Sequence, residues 1–366
     1  SPFLQSIGFQ QGQNDKALFY NPKTKVRIAG WVDDLVVRGP KRHIKAVFAQ
    51  MSNRFQLKPP QYLDEDNEIY FVGMRLRQMY KNGVKWYSID QERDILAFLD
   101  EVGIAAARGV SAPMPNKHLI SADDTPLSSQ EQSRYRSMIG SLQYFVCGTQ
   151  WHLAHCVARL AQFNSAATRG AQKQLTQVLA YLRNNACKGV QGPVLKHTQW
   201  AVYSDSDHAG DRDLGTRSHT GVVIMCNGAM VHWRSNKQPV TAVSSAAAEI
   251  YAMAEAARDA QLNAWRAQEI GLTPPEPIPI LVDNAAGVVF QSKMNPQSKL
   301  KGMIDLRWNW VKELQDNSKI KAVKVDTLYN VADILTKCHG RIAFDRLLKV
   351  VDDAADNFSV EYGLQS

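Results

Sequence analysis

The chain has 366 residues, of which 45% are hydrophobic and 21% charged. That balance excludes a disordered polymer, and the absence of any run of 18 apolar residues excludes a membrane-spanning helix. The length predicts two or three domains. The start, Ser1-Pro2-Phe3-Leu4, has neither the basic opening nor the apolar stretch of a signal peptide, and the missing initiator Met is expected of a piece of something longer. Net charge is +8, unevenly spread. Residues 1–195 hold 24 Lys and Arg against 15 Asp and Glu, and residues 196–366 hold 19 against 20. A basic first half suits a polyanion such as a phosphate backbone; a solvated basic surface is the plainer alternative. The five cysteines (147, 156, 187, 226, 338) show no CxxC spacing, so neither a disulfide framework nor a structural zinc site is read, and a reducing, intracellular compartment follows.

In chain order, Arg27–Val32 and Leu35–Gly39 are β-rich runs flanking Asp33-Asp34, which predicts a hairpin with both carboxylates at its tip. A helix is expected from Lys41 to Phe55, closed by Pro59-Pro60. Strands are expected at Glu68–Gly73 and Val84–Ile89, with Asn82-Gly83 as a turn between them. From Asp90 the apolar period becomes helical. A Pro/Ser/Asp-rich loop spans Ser111–Leu127, and helices follow at about 129–147, 151–163 and 170–184. Residues 151–195 contain five basic residues and no acid, so Arg169, Lys173, Arg183 and Lys188 read as a basic, nucleic-acid-binding helical connector.

A new unit begins near Trp200. Its first strand, Trp200–Ser204, leads into Asp205; a hairpin follows, Gly221–Cys226 and Met230–Arg234, turning at Asn227-Gly228. A third strand at Pro239–Val243 passes through Ser244-Ser245 into an Ala-rich helix over about 246–270. After four closely spaced prolines, Ile280-Leu281-Val282 is short and wholly apolar, as in a strand buried on both faces, and runs into Asp283. Helices at about 284–292 and 303–316, a strand at Lys321–Val325 and a last helix opening near Asn330 complete a β-β-β-α-β-α-β-α order.

Asp205, Glu249, Asp283 and Asp333 fall at strand ends or helix starts in that unit. Any one of them is more simply a cap or a solvated loop acid. Four at one edge of a mixed sheet repel one another unless cations intervene, and hard oxygen ligands suit Mg²⁺ or Mn²⁺, typically a pair of ions about 3.5–4 Å apart. Asp33-Asp34 reads either as turn residues or, between apolar strands, as a metal-binding pair lacking a partner. His152, His155 and Cys156 lie on one helix without a second ligand pair and read as a helix face. His339 is a weak candidate for proton transfer, and Trp308 and Trp310 read as core or interface.

Trp31-Val32-Asp33-Asp34 resembles the YVDD box of reverse transcriptases, with Trp in place of Tyr. Tyr135–Tyr144 is similar to the YRSLIGSLLY segment of copia-type LTR retrotransposon Pol polyproteins. Tyr203–Asp211, Thr220-Gly221, Lys237-Gln238-Pro239, Ser244-Ser245, Val282-Asp283-Asn284, Asn295-Pro296, Ile304–Arg307 and Ala332–Lys337 resemble their RNase H portion, in order and spacing. The resemblance covers nearly the whole chain. It implies an α/β (α+β) architecture in three parts: the C-terminal part of a reverse-transcriptase palm over 1–90, a helical thumb and connection over 91–195, and an RNase H-like domain with a mixed five-stranded sheet over 196–350. A C-terminal tail would occupy 351–366.

It further implies that Asp205, Glu249, Asp283 and Asp333 are RNase H metal ligands for two Mg²⁺ or Mn²⁺ ions, and that Asp33 and Asp34 are two of three polymerase carboxylates. The expected partners are RNA–DNA hybrid, DNA, RNA and the rest of the polyprotein, in cytoplasmic virus-like particles and the nucleus. Departures from the family pattern are Ala246-Ala247-Ala248-Glu249-Ile250 for TEAEY, Gly302-Met303 for Lys-His, and His208 for Trp. The expectation is therefore a hybrid-cutting ribonuclease attached to an incomplete polymerase, with a non-catalytic nucleic-acid-binding remnant as the alternative.

Overall fold

The computed structural model describes residues 2–104, 110–114, 123–195, 198–208, 215–242, 244–283 and 306–363. After a short helix α1 (Pro2–Ser6), the first sheet is an antiparallel run of β1 (Gln10–Gln11), β2 (Leu18–Asn21), β3 (Val26–Trp31) and β4 (Asp34–Arg38), in chain order. Helix α2 (Lys41–Ser52) contributes Val47 and Met51 to the core over Val26 and Ile28. The predicted hairpin is present: Trp31 pairs with Asp34, and Val32 takes a left-handed φ of 52° at the turn.

The second sheet is ordered β5 (Ile69–Phe71), β6 (Met74–Lys81), β7 (Val84–Asp90) and β8 (Val190–Pro193). Two of its strands depart from the expectation. Met74–Lys81, assigned to no element from the sequence, pairs along β7, where Arg75 and Arg77 meet the buried Asp90 at 3.0 and 2.9 Å. Charged residues paired this way hide the apolar alternation that marks a strand. β8 lies at the end of the segment read as helical and pairs with β7 from Trp86↔Pro193 to Ile89↔Val190. The Asn82-Gly83 turn holds, with φ of 51° and 78°.

Helices α3 (Glu92–Glu101), α4 (Ser129–Gly148), α5 (Ala154–Ala161) and α6 (Arg169–Asn184) form the connector, close to the predicted spans. Trp151–Leu153 is a 3-10 turn before α5. Ser128 and Glu131 close a capping box that starts α4.

The third sheet is mixed, in the order β11 (Ala229–Lys237), β10 (His219–Cys226), β9 (Trp200–Asp207), β12 (Ile278–Val282), β13 (Ile320–Lys324). β9, β10 and β11 are antiparallel, and β12 and β13 run parallel to β9. Helices α7 (Ser245–Glu269) and α8 (Leu306–Asp316) bury Met253, Ala256, Ala260 and Val311 against one face. The strand expected after β11 is not one over its described part, residues 239–242: the Gln238 N–H goes to the Ser218 carbonyl, and Pro239 has no N–H to continue a ladder. The predicted helix at 284–292 and the start of that at 303–316 lie outside the described residues. Asp333 sits in a 3-10 turn (Val331–Leu335) rather than a helix, and the last helix, α9 (Arg341–Gly363), continues through most of the segment expected to be a tail.

The connector and the third sheet share one core. Ile95, Tyr135, Leu160 and Leu182 join Val223, Met230, Leu335 and Leu347 in a single buried cluster. The first sheet instead docks on the C-terminal end of α7. Arg27 donates to the Ile270 and Gly271 carbonyls, which the helix leaves unpaired, and Glu269 accepts the Gln13 and Asn14 amides at 2.7 Å. Among the described residues no helix is long and apolar enough to cross a membrane.

Candidate metal centre

Asp205 lies near the end of β9, the middle strand, and is 1% exposed. β12 runs parallel to it with Leu281 level with Tyr203, so Asp283, two residues further on, arrives beside Asp205. Glu249 is the fifth residue of α7, just past its first turn, and the start of that helix is fixed by the Ser244 hydroxyl accepting the Ala247 amide at 3.1 Å. Asp205, Glu249 and Asp283 each offer a carboxylate oxygen, all within 4.8 Å of one another. Residues up to 78 apart in sequence thus converge because a central strand, its parallel neighbour and a helix start share one sheet edge.

This grouping is costly without a cation. Burial raises the Asp205 carboxyl to about 6, with Lys337 opposing and Asp333 adding to the shift. Burial, and then the charges of Asp205 and Asp283, raise Glu249 to about 9. A proton on Glu249 relieves the repulsion at neutral pH; so would a divalent cation bound by hard oxygen donors. The donor set therefore fits Mg²⁺ or Mn²⁺.

Asp333 is close but differently engaged. Its turn is capped by Asn330, which accepts the Ala332 amide and donates to the Ser204 carbonyl at 3.1 Å, tying it to β9. The Asp333 carboxylate takes the Lys337 ammonium at 2.6 Å, and the same ammonium lies 3.6 Å from Asp205. Thr336 donates its hydroxyl to Asp205 Oδ2. Gly221, opposite Asp205 in the ladder, lets the turn lie on the sheet: a methyl there would meet the Ala332 carbonyl oxygen at 2.6 Å and Thr336 Cγ2 at 2.8 Å. His339 donates from Nε2 to the Asp333 carbonyl at 3.0 Å, and burial lowers its pKa.

Of the four expected ligands, three converge within 4.8 Å, and Asp333 lies against Asp205 with its carboxylate also on Lys337. The sequence reading assigned no role to Lys337, Thr336, Asn330 or Gly221. Their signal was the Ala332–Lys337 motif, where Lys337 falls four residues after Asp333.

The other candidates sit elsewhere. Asp33 and Asp34 are exposed at their hairpin tip, beside a 61% exposed Trp31 and a 90% exposed Val32. Among the described residues no third metal-ligating side chain converges on them. The connector cations have local acids after all, brought from other segments: Arg169 pairs with Glu131 at 2.6 Å, Lys173 with Asp123 at 3.0 Å and Arg183 with Asp100 at 3.3 Å. Lys188 is exposed, yet desolvation of its ammonium lowers its pKa against the pull of Asp352 and Asp345. His152 and His155 are buried among the connector helices, where they serve as core.

A mixed sheet in this order, with carboxylates gathered at one end of its central strand, defines an RNase H-like fold. The chain is similar to copia-type, retrovirus-related Pol polyproteins of transposons. It is 27% identical over 362 residues, 95% of its length, to the polyprotein of transposon TNT 1-94 from Nicotiana tabacum, and 27% identical over 346 residues, 93% of its length, to that of transposon RE1 from Arabidopsis thaliana. It spans about a quarter of each, 26% and 23%. Secreted RxLR effector protein 161 of Plasmopara viticola is 35% identical over 126 residues, 34% of this chain and 88% of its own length. No protein-family model matches. Among solved structures, LC11-RNase H1, isolated from compost by a metagenomic approach, aligns with 43% of this chain and 96% of its own at a TM-score of 0.27 and 16% identity.

Proposed function

We propose that the chain is an RNase H-type endonuclease that cuts the RNA strand of RNA–DNA hybrids, carried on an incomplete reverse transcriptase within a retrotransposon polyprotein. The observation that supports this best is the convergence of Asp205, Glu249 and Asp283 within 4.8 Å at the end of the central strand. A divalent ion held there supplies Lewis-acid stabilisation of a phosphodiester and a more acidic water. Hydrolysis itself adds water across the P–O3′ bond, leaving a 5′-phosphate and a 3′-hydroxyl. The protein's part is to hold three carboxylates at fixed places before the substrate arrives, which removes reorganisation from the reaction. Thr336 and Lys337 orient Asp205, and Asn330 fixes the turn that carries them. RNA is told from DNA by contacts to 2′-hydroxyls across the minor groove. Asp33 and Asp34 are polymerase ligands only together with a third carboxylate, which the rest of the polyprotein would supply. Hybrid, its component strands and that polyprotein are the partners, inside cytoplasmic particles and the nucleus.

The test is cleavage of a labelled RNA–DNA hybrid in Mg²⁺ or Mn²⁺, with EDTA, an RNA duplex and Asp283→Asn as controls. Metal-dependent cutting of the hybrid alone, lost in the variant, is expected. Hybrid binding without cutting by folded protein would overturn the reading and leave a binding remnant.

A further inference from the structure

A cavity of about 290 Å³ lies between the second sheet, the Trp151–Leu153 turn and α9, and it shares no lining residue with the metal centre. Close-packed interiors leave few voids larger than a water molecule, so a space of this size asks for an occupant. Three side chains that line it carry a buried polar atom with no hydrogen-bond partner among the described residues: Arg77 Nε, Ser88 Oγ and His152 Nε2. His152 is only 2% exposed. Buried polar groups are costly to leave unpaired, and here three border one space. Trp151, Met79 and Met230 add aromatic and thioether surface to the same wall, which suits the face of a flat ring. We propose that this cavity is a binding site for an uncharged heteroaromatic ring that carries a donor and an acceptor side by side, as nucleobases do.

The polar atoms call for both roles. Arg77 Nε can only donate, whereas the Ser88 hydroxyl and a neutral imidazole can donate or accept. No free charge invites an anion, because the Arg77 guanidinium already meets the Asp90 carboxylate at 2.9 Å. At the exposed mouth, desolvation lowers the Lys188 pKa and raises that of Asp352, so the surroundings disfavour charge of either sign. The volume lies at the low end for small-molecule pockets, about 300–1,000 Å³, which suits one or two rings rather than a polymer. The wall is also held in place. Val190 and Gln191 pair with Ile89 and Ser88, and Gly189 lets that segment close on β7, where a methyl would run into the Ile89 carbonyl oxygen.

Cys187 and Cys147 are both exposed, and only Cys187 lines the cavity. Alkylation of the full chain by iodoacetamide, read at each cysteine by mass spectrometry, therefore reports occupancy. Uracil should slow Cys187 about tenfold at about ten times its dissociation constant and leave Cys147 unchanged. Orotate, the same ring bearing a carboxylate, and glucose should give no protection at that concentration. Ser88→Ala and His152→Phe should each weaken uracil binding by about fivefold or more. Protection by uracil but not by oligouridylate assigns a free base; protection by both assigns a base carried on a strand. No protection by uracil or adenine at their solubility limits, equal protection by orotate, or unchanged uracil affinity in both folded variants would overturn the proposal and leave the three polar atoms to water. Should neither variant fold, the contrast between uracil and orotate in wild type decides.

Discussion

The Asp33-Asp34 pair and the Asp205, Glu249, Asp283 trio are both sets of acids near the ends of strands or the start of a helix, in one chain, and they differ in everything the tertiary structure adds. The pair is adjacent in sequence, sits at a hairpin tip and stays in water. The trio comes from three parts of the chain, and its carboxylates press on one another where Asp205 is buried and Glu249 and Asp283 are half-buried. Water solvates the first set without assistance. The second needs a proton or a cation, and that demand is what makes it a chemical site. Proximity in sequence is therefore a poor guide to a metal centre; convergence under burial is the better one.

The comparison can be broken most directly at the trio. Asp283→Asn should lower hybrid cleavage by about 100-fold or more, read from initial rates at fixed Mg²⁺. Gly221→Ala comes next. Its added methyl pushes the Asp333–Lys337 turn off the sheet, costing about 1–3 kcal/mol in urea unfolding and slowing cleavage as well. Asn330→Ala should cost a similar or smaller amount, about 1–3 kcal/mol, because it strands the buried Ser204 carbonyl and Ala332 amide that Asn330 now satisfies.

Burial acts with the opposite sign on the connector imidazoles. His152, 2% exposed, is held down to about 3, and His155 well below its usual range, by burial first in each case. Their folded-state pKa values lie below the unfolded value of about 6.5. The unfolded chain thus binds more protons, and stability present above that pH is lost as pH falls toward 3. Each imidazole contributes a slope of up to about 1.4 kcal/mol per pH unit. Melting temperatures from pH 7 to 4 should show the loss, and His152→Phe should flatten it. At the small end, the double substitution Asp33→Asn with Asp34→Asn should leave both melting temperature and hybrid cleavage unchanged; a loss of cleavage would mean that the hairpin tip contributes to the same site.

Local chemistry was readable wherever neighbours in sequence decide the outcome. Asn82-Gly83 and Asn227-Gly228 announced hairpins because both residues of such turns need φ > 0, and both pairs have it. Ser244 announced the start of α7, and the apolar run before Asp283 announced a buried strand. The placement of Asp205, Glu249 and Asp283 was legible for the same reason: an acid at the end of a buried strand, or near the start of a capped helix, has few other places to be. β6 and β8 were not legible. Arginines paired to Asp90 mask the pattern of one, and the other is a strand only because β7 offers it an edge.

The sequence by itself therefore determined the family motifs, the turns, the caps and which acids could serve as ligands, since these depend on backbone preferences within a few residues. Only the tertiary structure decided which charges meet. It brought acids from elsewhere to Arg169, Lys173 and Arg183, left Asp33 and Asp34 in solvent, and closed three carboxylates around one position while laying the fourth against Asp205 and Lys337. Electrostatic energy falls with distance and rises as water is excluded, and neither distance nor burial is written in the order of the residues.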